Sequence, residues 1–314
     1  MAEFVPSKVP PVNEPREAGM DHAHYPFRAL PDAPRFVWPD GARIALTVTV
    51  MVDHWELAPP DNALPDPRIV SPLGKFHPDW LTWSQRAYGN RVGIFRVLEV
   101  LDQFGLAPSV ALGSAAAKQF PELVGELVRR NACFMAHGDF ATRRITSRMS
   151  EQEERAFIVE ARDAIAAATN TVPRGWCGQD FNESADTPAY LIDAGFDYTT
   201  DWPNDDRPYL LDGRLLALPS QPEWNDLESM RLRGVTAPVW SDNVAEAFAV
   251  LHEEGCQGNG GTVFNLTLHP WIIGQPQRIR WLREALTRML GKSGIWRTTT
   301  DDLAVAARRV LTAE

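Results

Sequence analysis

The chain has 314 residues, 44% hydrophobic and 23% charged, with 25 Pro, 11 Trp and 3 Cys, an ordinary globular composition with length for one large domain or two small ones. A formal charge of -10 argues against a nucleic-acid partner, which requires a basic face, and no apolar run approaches the ~18 residues of a membrane span. The opening MAEFVPSKVPPVNEPREAG lacks the apolar stretch of an export signal, and Cys133, Cys177 and Cys256 match neither a zinc ribbon nor a disulfide framework, so the expected compartment is the cytoplasm.

Prolines are front-loaded, eight in residues 1–40 and six more from Pro59 to Pro78, so the first quarter of the chain does not read as packed core. Residues 1–40 show no sustained period and are expected to form an extended arm, with Phe36 and Trp38 anchoring it to its own protomer or a neighbour. Residues 41–314 then read as a single domain of alternating strands and helices.

Ile44 to Val52 is a β-branched apolar run, the mark of a strand buried on both faces. A Pro- and Trp-rich loop follows to Asn90, its Pro59–Pro78 part with Trp80 and Trp83 expected as a stiff wall over the site. Next comes a helix with Ile94, Phe95, Leu98 and Leu101 as its stripe and Gly105 as its stop. Ser109–Leu112 reads as a strand, Pro121–Arg130 as a helix and Ala132–Ala136 as a strand. Ser150 with Glu153 forms a capping box opening a helix towards Thr169. Further strands are expected at 174–177, 196–200, 215–218, 262–268 and 295–298, with helices opening at Thr187 and near Ser241, Pro276 and Thr300. About seven or eight βα units suit a (β/α) barrel or a doubly wound sheet.

Polar residues follow five of the strands: Asp53-His54, His137, Gly178-Gln179-Asp180, Asp201 and His269. Such groups converge only if the sheet closes, which favours the barrel. Carboxylates after strands also serve as helix caps, and a lone His is more often structural than functional, so the case rests on the set. No compact metal motif, P-loop, dinucleotide fingerprint or G-x-S-x-G occurs. Cys177 reads more naturally as a small buried strand residue than as a nucleophile. Carboxylate and histidine chemistry remains, which means activation of water.

Six segments carry a resemblance: YGNRVGIFRVLEVLDQFG (88–105), MAHG (135–138), QEERA (152–156), PRGW (173–176), DWPNDDRPY (201–209) and LTLHPWIIGQPQRI (266–279). In order and spacing the chain resembles the polysaccharide deacetylase (NodB-homology) superfamily, and within it the intracellular allantoinase-like and cyclic imide hydrolase branch. The resemblance implies a distorted (β/α)7 barrel of NodB type, assembled as a homo-oligomer (dimer or tetramer). It implies Asp53 as catalytic base and His269 as general acid. It also exposes two departures: His54 stands where the deacetylases have a metal-binding Asp, and Ala141 where they have a second metal-binding His after His137. The cofactor expectation is therefore either none or one divalent metal, zinc first, on some of His54, His137, Asp201 and Asp205.

The expected activity is hydrolysis of a C–N bond in a small cyclic amide (an imide, hydantoin-like ureide or lactam). Asp53 would deprotonate water and His269 would protonate the departing nitrogen, with His137 or a metal stabilising the intermediate. Asp205 and Asp206 are expected beside His269. Trp176, Gln179, Asn182, Glu183, Trp202 and Trp271 are the expected substrate contacts. Because aromatic platforms also stack on sugars, the alternative is N-deacetylation of a soluble N-acetylated aminosugar, and a third reading is a binding protein on a barrel that has lost catalysis.

Overall fold

The computed structural model describes residues 22–60, 63, 78–256 and 260–312. The Pro65, Pro67 and Pro72 part of the expected wall, His77, the side chain of Cys256 and the first half of the arm lie outside the described residues. No helix among the described residues is long and apolar enough to cross a membrane.

Strand β1 (Ile44–Val52) is followed by α1 (Trp80–Tyr88), a π turn (Gly89–Gly93) and α2 (Ile94–Gln103). Then come β2 (Ser109–Leu112), α3 (Ser114–Gln119), α4 (Pro121–Arg129), β3 (Cys133–Ala136) and α5 (Glu151–Thr169). The middle of the chain holds β4 (Gly175–Trp176), α6 (Thr187–Asp193), β5 (Tyr198–Thr199), β6 (Tyr209–Leu211) and β7 (Leu215–Ala217). It ends with α7 (Ala237–Cys256), β8 (Thr262–Leu268), α8 (Pro270–Ile273), α9 (Ile279–Leu290), β9 (Ile295–Arg297) and α10 (Thr300–Leu311).

The strands form one curled sheet in the order β6-β7-β5-β4-β3-β2-β1-β8, with β9 also paired to β1. All pairings are parallel except the β6–β7 hairpin. β8 and β6 do not pair among the described residues, and a single bond from Val263 N to Asp206 O (3.0 Å) bridges that gap. The expected distorted barrel is therefore present as a half-barrel with one open seam.

Several elements differ from expectation. α1 lies inside the expected loop because Asp79 caps it, its side chain accepting from Thr82 N at 3.0 Å, a cap that offsets the absence of an apolar stripe. The stripe of α2 is Ile94, Val97, Leu98 and Leu101, while Phe95 is 40% exposed, since neighbouring positions on a helix lie about 100° apart. β6 is paired only to β7 through Asp212-Gly213, both with positive φ. The capping box on α5 is formed as expected, Ser150 N bonding Glu153 Oε2 at 2.8 Å and Glu153 N bonding Ser150 Oγ at 3.3 Å.

Period-two alternation divides β1 between two cores. Ile44, Leu46, Val48, Val50 and Val52 pack outward with the helices, whereas Ala45 and Met51 join an inner cluster with Met135, Cys177, Leu216 and Val263. Phe36 and Trp38 belong to that inner cluster and are almost fully buried. Trp38 Nε1 donates to Thr262 O at 2.9 Å and Gly261 N to Phe36 O at 2.7 Å. The described end of the arm is thus anchored in its own barrel. Above it lies a buried polar layer in which Thr47 and Thr49 donate to Asn265 Oδ1 at 3.1 and 2.9 Å.

Candidate active site

The same alternation explains which strand-end residues meet. Positions 45, 47, 49 and 51 face the interior of β1, so Asp53 continues the inward row and His54 the outward one. By the same count Met135 leads to His137, Cys177 to Gln179 and Thr267 to His269. Asp53, His137, Gln179 and His269 line one cavity of about 180 Å³.

Asp53 and His137 form an ion pair, Oδ1 to Nε2 at 3.0 Å, off the line of a good hydrogen bond. The His137 ring is fully buried, and its Nδ1 bonds the Cys177 carbonyl. Burial pushes the Asp53 carboxyl up, but the His137 charge and contact, then the His269 charge and Gln179, outweigh it and hold Asp53 below the usual carboxylate range. Burial likewise opposes a charge on His137, yet Asp53 and the Cys177 carbonyl raise it well above the usual imidazole value. The pair is a carboxylate facing an imidazolium. Gln179 Nε2 donates to His137 O at 2.7 Å and reaches Asp53 Oδ1 at 3.3 Å, holding both in place.

His269 is oriented by Asp226, which sequence reasoning missed. Asp226 accepts from His269 N at 2.9 Å on each oxygen and lies 2.7 Å from Nδ1. With Nδ1 bound there, Nε2 is the atom left to exchange a proton with a substrate. The expected carboxylates Asp205 and Asp206 do not fill this role. Asp205 accepts from Arg207 N at 3.0 Å and lines a separate cavity of about 470 Å³ between residues 24–34 and 204–210. No signal marked Asp226, since it follows a short turn rather than a strand. α8 follows His269, carries Trp271 and is locked against the π turn, where a Cβ on Gly93 would meet Pro270 O at 2.1 Å.

Trp55, Phe181 and Trp271 give the cavity aromatic walls, and Arg144, Asn225 and Glu228 add polar groups. Of the six expected substrate contacts, Gln179 and Trp271 line it. Trp176 is a correction: it is fully buried in the outer core against Phe157 and Phe196, because its parity is opposite to Cys177. Trp202 is a second, packing edge-on against His22, His24 and Tyr25 of the N-terminal segment. Asn182 bonds backward to Asp180 O at 3.1 Å and does not line the cavity. Trp80 and Trp83 do not line it either; Trp83 Nε1 instead donates to Trp55 O at 2.9 Å, bracing the tryptophan that does.

Glu183 is half-buried and does not line the cavity. Its Oε2 accepts from Trp202 Nε1 at 3.0 Å, and its carboxyl interacts with that of Asp201. Burial, then the Asp201 charge, pushes Glu183 well above the usual carboxylate range, and burial lifts Asp201 to about 6. Both Asp201 oxygens accept from Gly178 N at 2.8 and 2.9 Å, an approach requiring glycine, since a Cβ there would lie 2.7 Å from Asp201 Oδ2.

The expected metal set is not assembled. His54 stands on the outward row between the rings of Phe120 and Phe140, Asp205 faces the other cavity, Asp201 is committed to Gly178, and both His137 nitrogens face acceptors. Among the described residues no group of three or more His, Cys, Asp or Glu is placed to hold a metal ion. The side chains present do not fit a protein-held divalent ion.

No family model matches the chain. A Schizosaccharomyces pombe protein assigned as a polysaccharide deacetylase is 27% identical over 240 residues, covering 70% of this chain and 73% of its own. Among solved structures, PuuE allantoinase superposes with a TM-score of 0.79 at 24% identity, over 90% of this chain and 97% of that one. A probable polysaccharide deacetylase of Pseudomonas aeruginosa PAO1 gives 0.78 at 24% identity, over 91% and 98%.

Proposed function

We propose that this chain, similar to a polysaccharide deacetylase in sequence and to the NodB-type hydrolases in fold, hydrolyses the C–N bond of a small cyclic amide. The observation that carries this reading is the pairing, around one cavity of about 180 Å³, of an ionised Asp53 with an Asp226-oriented His269. That volume suits one small ring rather than a polymer.

Asp53 takes a proton from water as the water oxygen bonds the ring carbonyl carbon. The carbonyl electrons move onto oxygen, giving a tetrahedral anion beside the positive His137. The C–N bond then breaks, and His269 Nε2–H gives its proton to the departing nitrogen. For an imide the product is an open chain with one carboxyl and one amide group. An imide nitrogen leaves as a delocalised anion, so it asks less of the acid than an alkylamine does. Water is renewed, and Asp53 and His269 return their proton difference through solvent.

The allantoinase likeness in fold supports the cyclic substrate. The deacetylase relative favours a second reading, removal of an acetyl group from a soluble aminosugar, by the same two residues in the same roles. Of the three tryptophans expected as a sugar platform, Trp176 and Trp202 lie away from the cavity while Trp271 lines it, which leaves a smaller aromatic platform than that reading expected.

The test is a hydrolysis panel on purified protein, before and after chelation: succinimide, phthalimide, hydantoin, dihydrouracil, allantoin and N-acetylglucosamine oligomers. Ring opening unaffected by the chelator is expected, with Asp53→Asn and His269→Ala each slowing it roughly 10²-fold or more. Activity confined to the acetylated sugars would overturn the cyclic-amide reading.

A further inference from the structure

Arg144 is a charged group of the cavity that the hydrolytic steps do not use. It lies in the loop after β3, three residues beyond Ala141, and lines the cavity together with Asp53 and His269. Its side chain is only 12% exposed, and its Nε is buried with no hydrogen bond among the described residues. A buried N–H left unmade costs about 1–3 kcal/mol.

Its neighbour shows what a satisfied guanidinium looks like. Arg143 Nε and Nη2 both donate to the Glu56 carboxylate, at 3.1 and 2.8 Å. Among the described residues Arg144 has a looser ion pair, Nη1 to Asp180 Oδ2 at 3.4 Å. Asp180 and Phe181 are both held in left-handed backbone, φ 60° and 56°, an arrangement that costs energy at a non-glycine residue and recurs where a site is held in shape for a ligand. Phe181 is itself a wall of the cavity. The edge formed by Nε–H and the adjacent Nη–H matches two parallel acceptors in one plane, which is a carboxylate; a ring carbonyl takes a single N–H.

We infer that Arg144 is a specificity residue that binds a carboxylate substituent, so that the substrate is a cyclic amide carrying an anionic side group. The ring part of this statement rests on the cyclic-amide reading, whereas the anion contact is measured separately. Small Ala141, in the same cavity wall, leaves room for the substituent beside the reacting ring.

Calorimetric binding of carboxymethylhydantoin and of its neutral carboxamide isostere tests this on the full chain. The wild-type protein should bind the carboxylate roughly tenfold or more tightly than the carboxamide. Arg144→Gln should erase that difference, and Arg144→Lys, which keeps the charge without the fork, should keep only part of it. Equal binding of the two probes by the wild type, binding of neither, or a full preference surviving in both variants overturns the assignment. A carboxylate preference without ring opening would sink the hydrolytic reading and leave the anion contact standing. Where both rings are opened, a loss in Arg144→Gln confined to KM for the carboxylate supports it, and an equal loss of kcat on both rings overturns it.

Discussion

Asp226 grips His269 at two points, accepting from its backbone N at 2.9 Å on each carboxylate oxygen and lying 2.7 Å from its ring Nδ1. One fully buried carboxylate thus fixes both the end of β8 and the tautomer of the ring that follows it. Asp226→Asn keeps the volume but can present an N–H to Nδ1, which favours the wrong tautomer. We expect kcat to fall roughly 10²- to 10⁴-fold with KM little changed, as for other Asp–His pairs. Steady-state kinetics on a ring the wild type opens checks this, and unaltered kcat would show that Asp226 does not orient the acid.

His137 and Asp53 make a prediction about pH. The imidazolium keeps Asp53 ionised against the penalty of burial. In His137→Gln the burial remains and the positive charge is gone, so the Asp53 carboxyl titrates higher. The acid limb of the kcat/KM profile should move to higher pH, with activity lost first in mildly acidic buffer. A profile that falls uniformly at all pH values would mean His137 acts on something other than the ionisation of Asp53.

The alternation that selects these residues was present in the sequence, but both faces of β1 are apolar, so hydrophobicity alone hid which row faces inward. Asp53, His137 and His269 were legible because each ends an apolar strand. His54 and Trp176 were misplaced for the converse reason: adjacency in sequence puts a neighbour on the opposite face. Asp226 and Arg144 sit on irregular segments whose course is set by distant packing, and no local period announces them. β7 was expected within 215–218, but its hairpin partner β6 was overlooked because three residues are too short for an alternation to register.

Burial pushes the neighbouring Glu183 and Asp201 carboxyls above their ordinary values, Asp201 to about 6. A carboxyl raised in the folded state holds its proton there at a pH where the unfolded chain has released it. Stability from this pair is therefore intact below about pH 4 and falls as pH rises through 6. Glu183→Gln copies the protonated form, its oxygen accepting from Trp202 and its amide donating to Asp201. The variant's Tm should drop less than the wild type's between pH 5 and pH 8 in thermal melts of the two proteins. Parallel Tm curves would show that the Glu183 carboxyl does not contribute to this dependence.

Gly93 tests how far the site depends on packing outside it. The π turn and α8 touch backbone to backbone there, and a Cβ on Gly93 would lie 2.1 Å from Pro270 O. Its φ of -61° is open to any residue, so Ala brings no backbone strain and acts only by pushing the two segments apart. Pro270 lies between His269 and Trp271, and the displacement passes directly to the acid and to one aromatic wall. Gly93→Ala should cost roughly 1–3 kcal/mol of stability and lower kcat as well, because a positioning error of about 1 Å at a catalytic group is worth roughly 10²-fold. Gly125→Ala, on α4 with nothing within 4 Å of the added Cβ, is the control and should leave kcat at wild type while raising stability by up to about 1 kcal/mol. A Gly93→Ala protein that is destabilised but fully active would uncouple α8 from the chemistry.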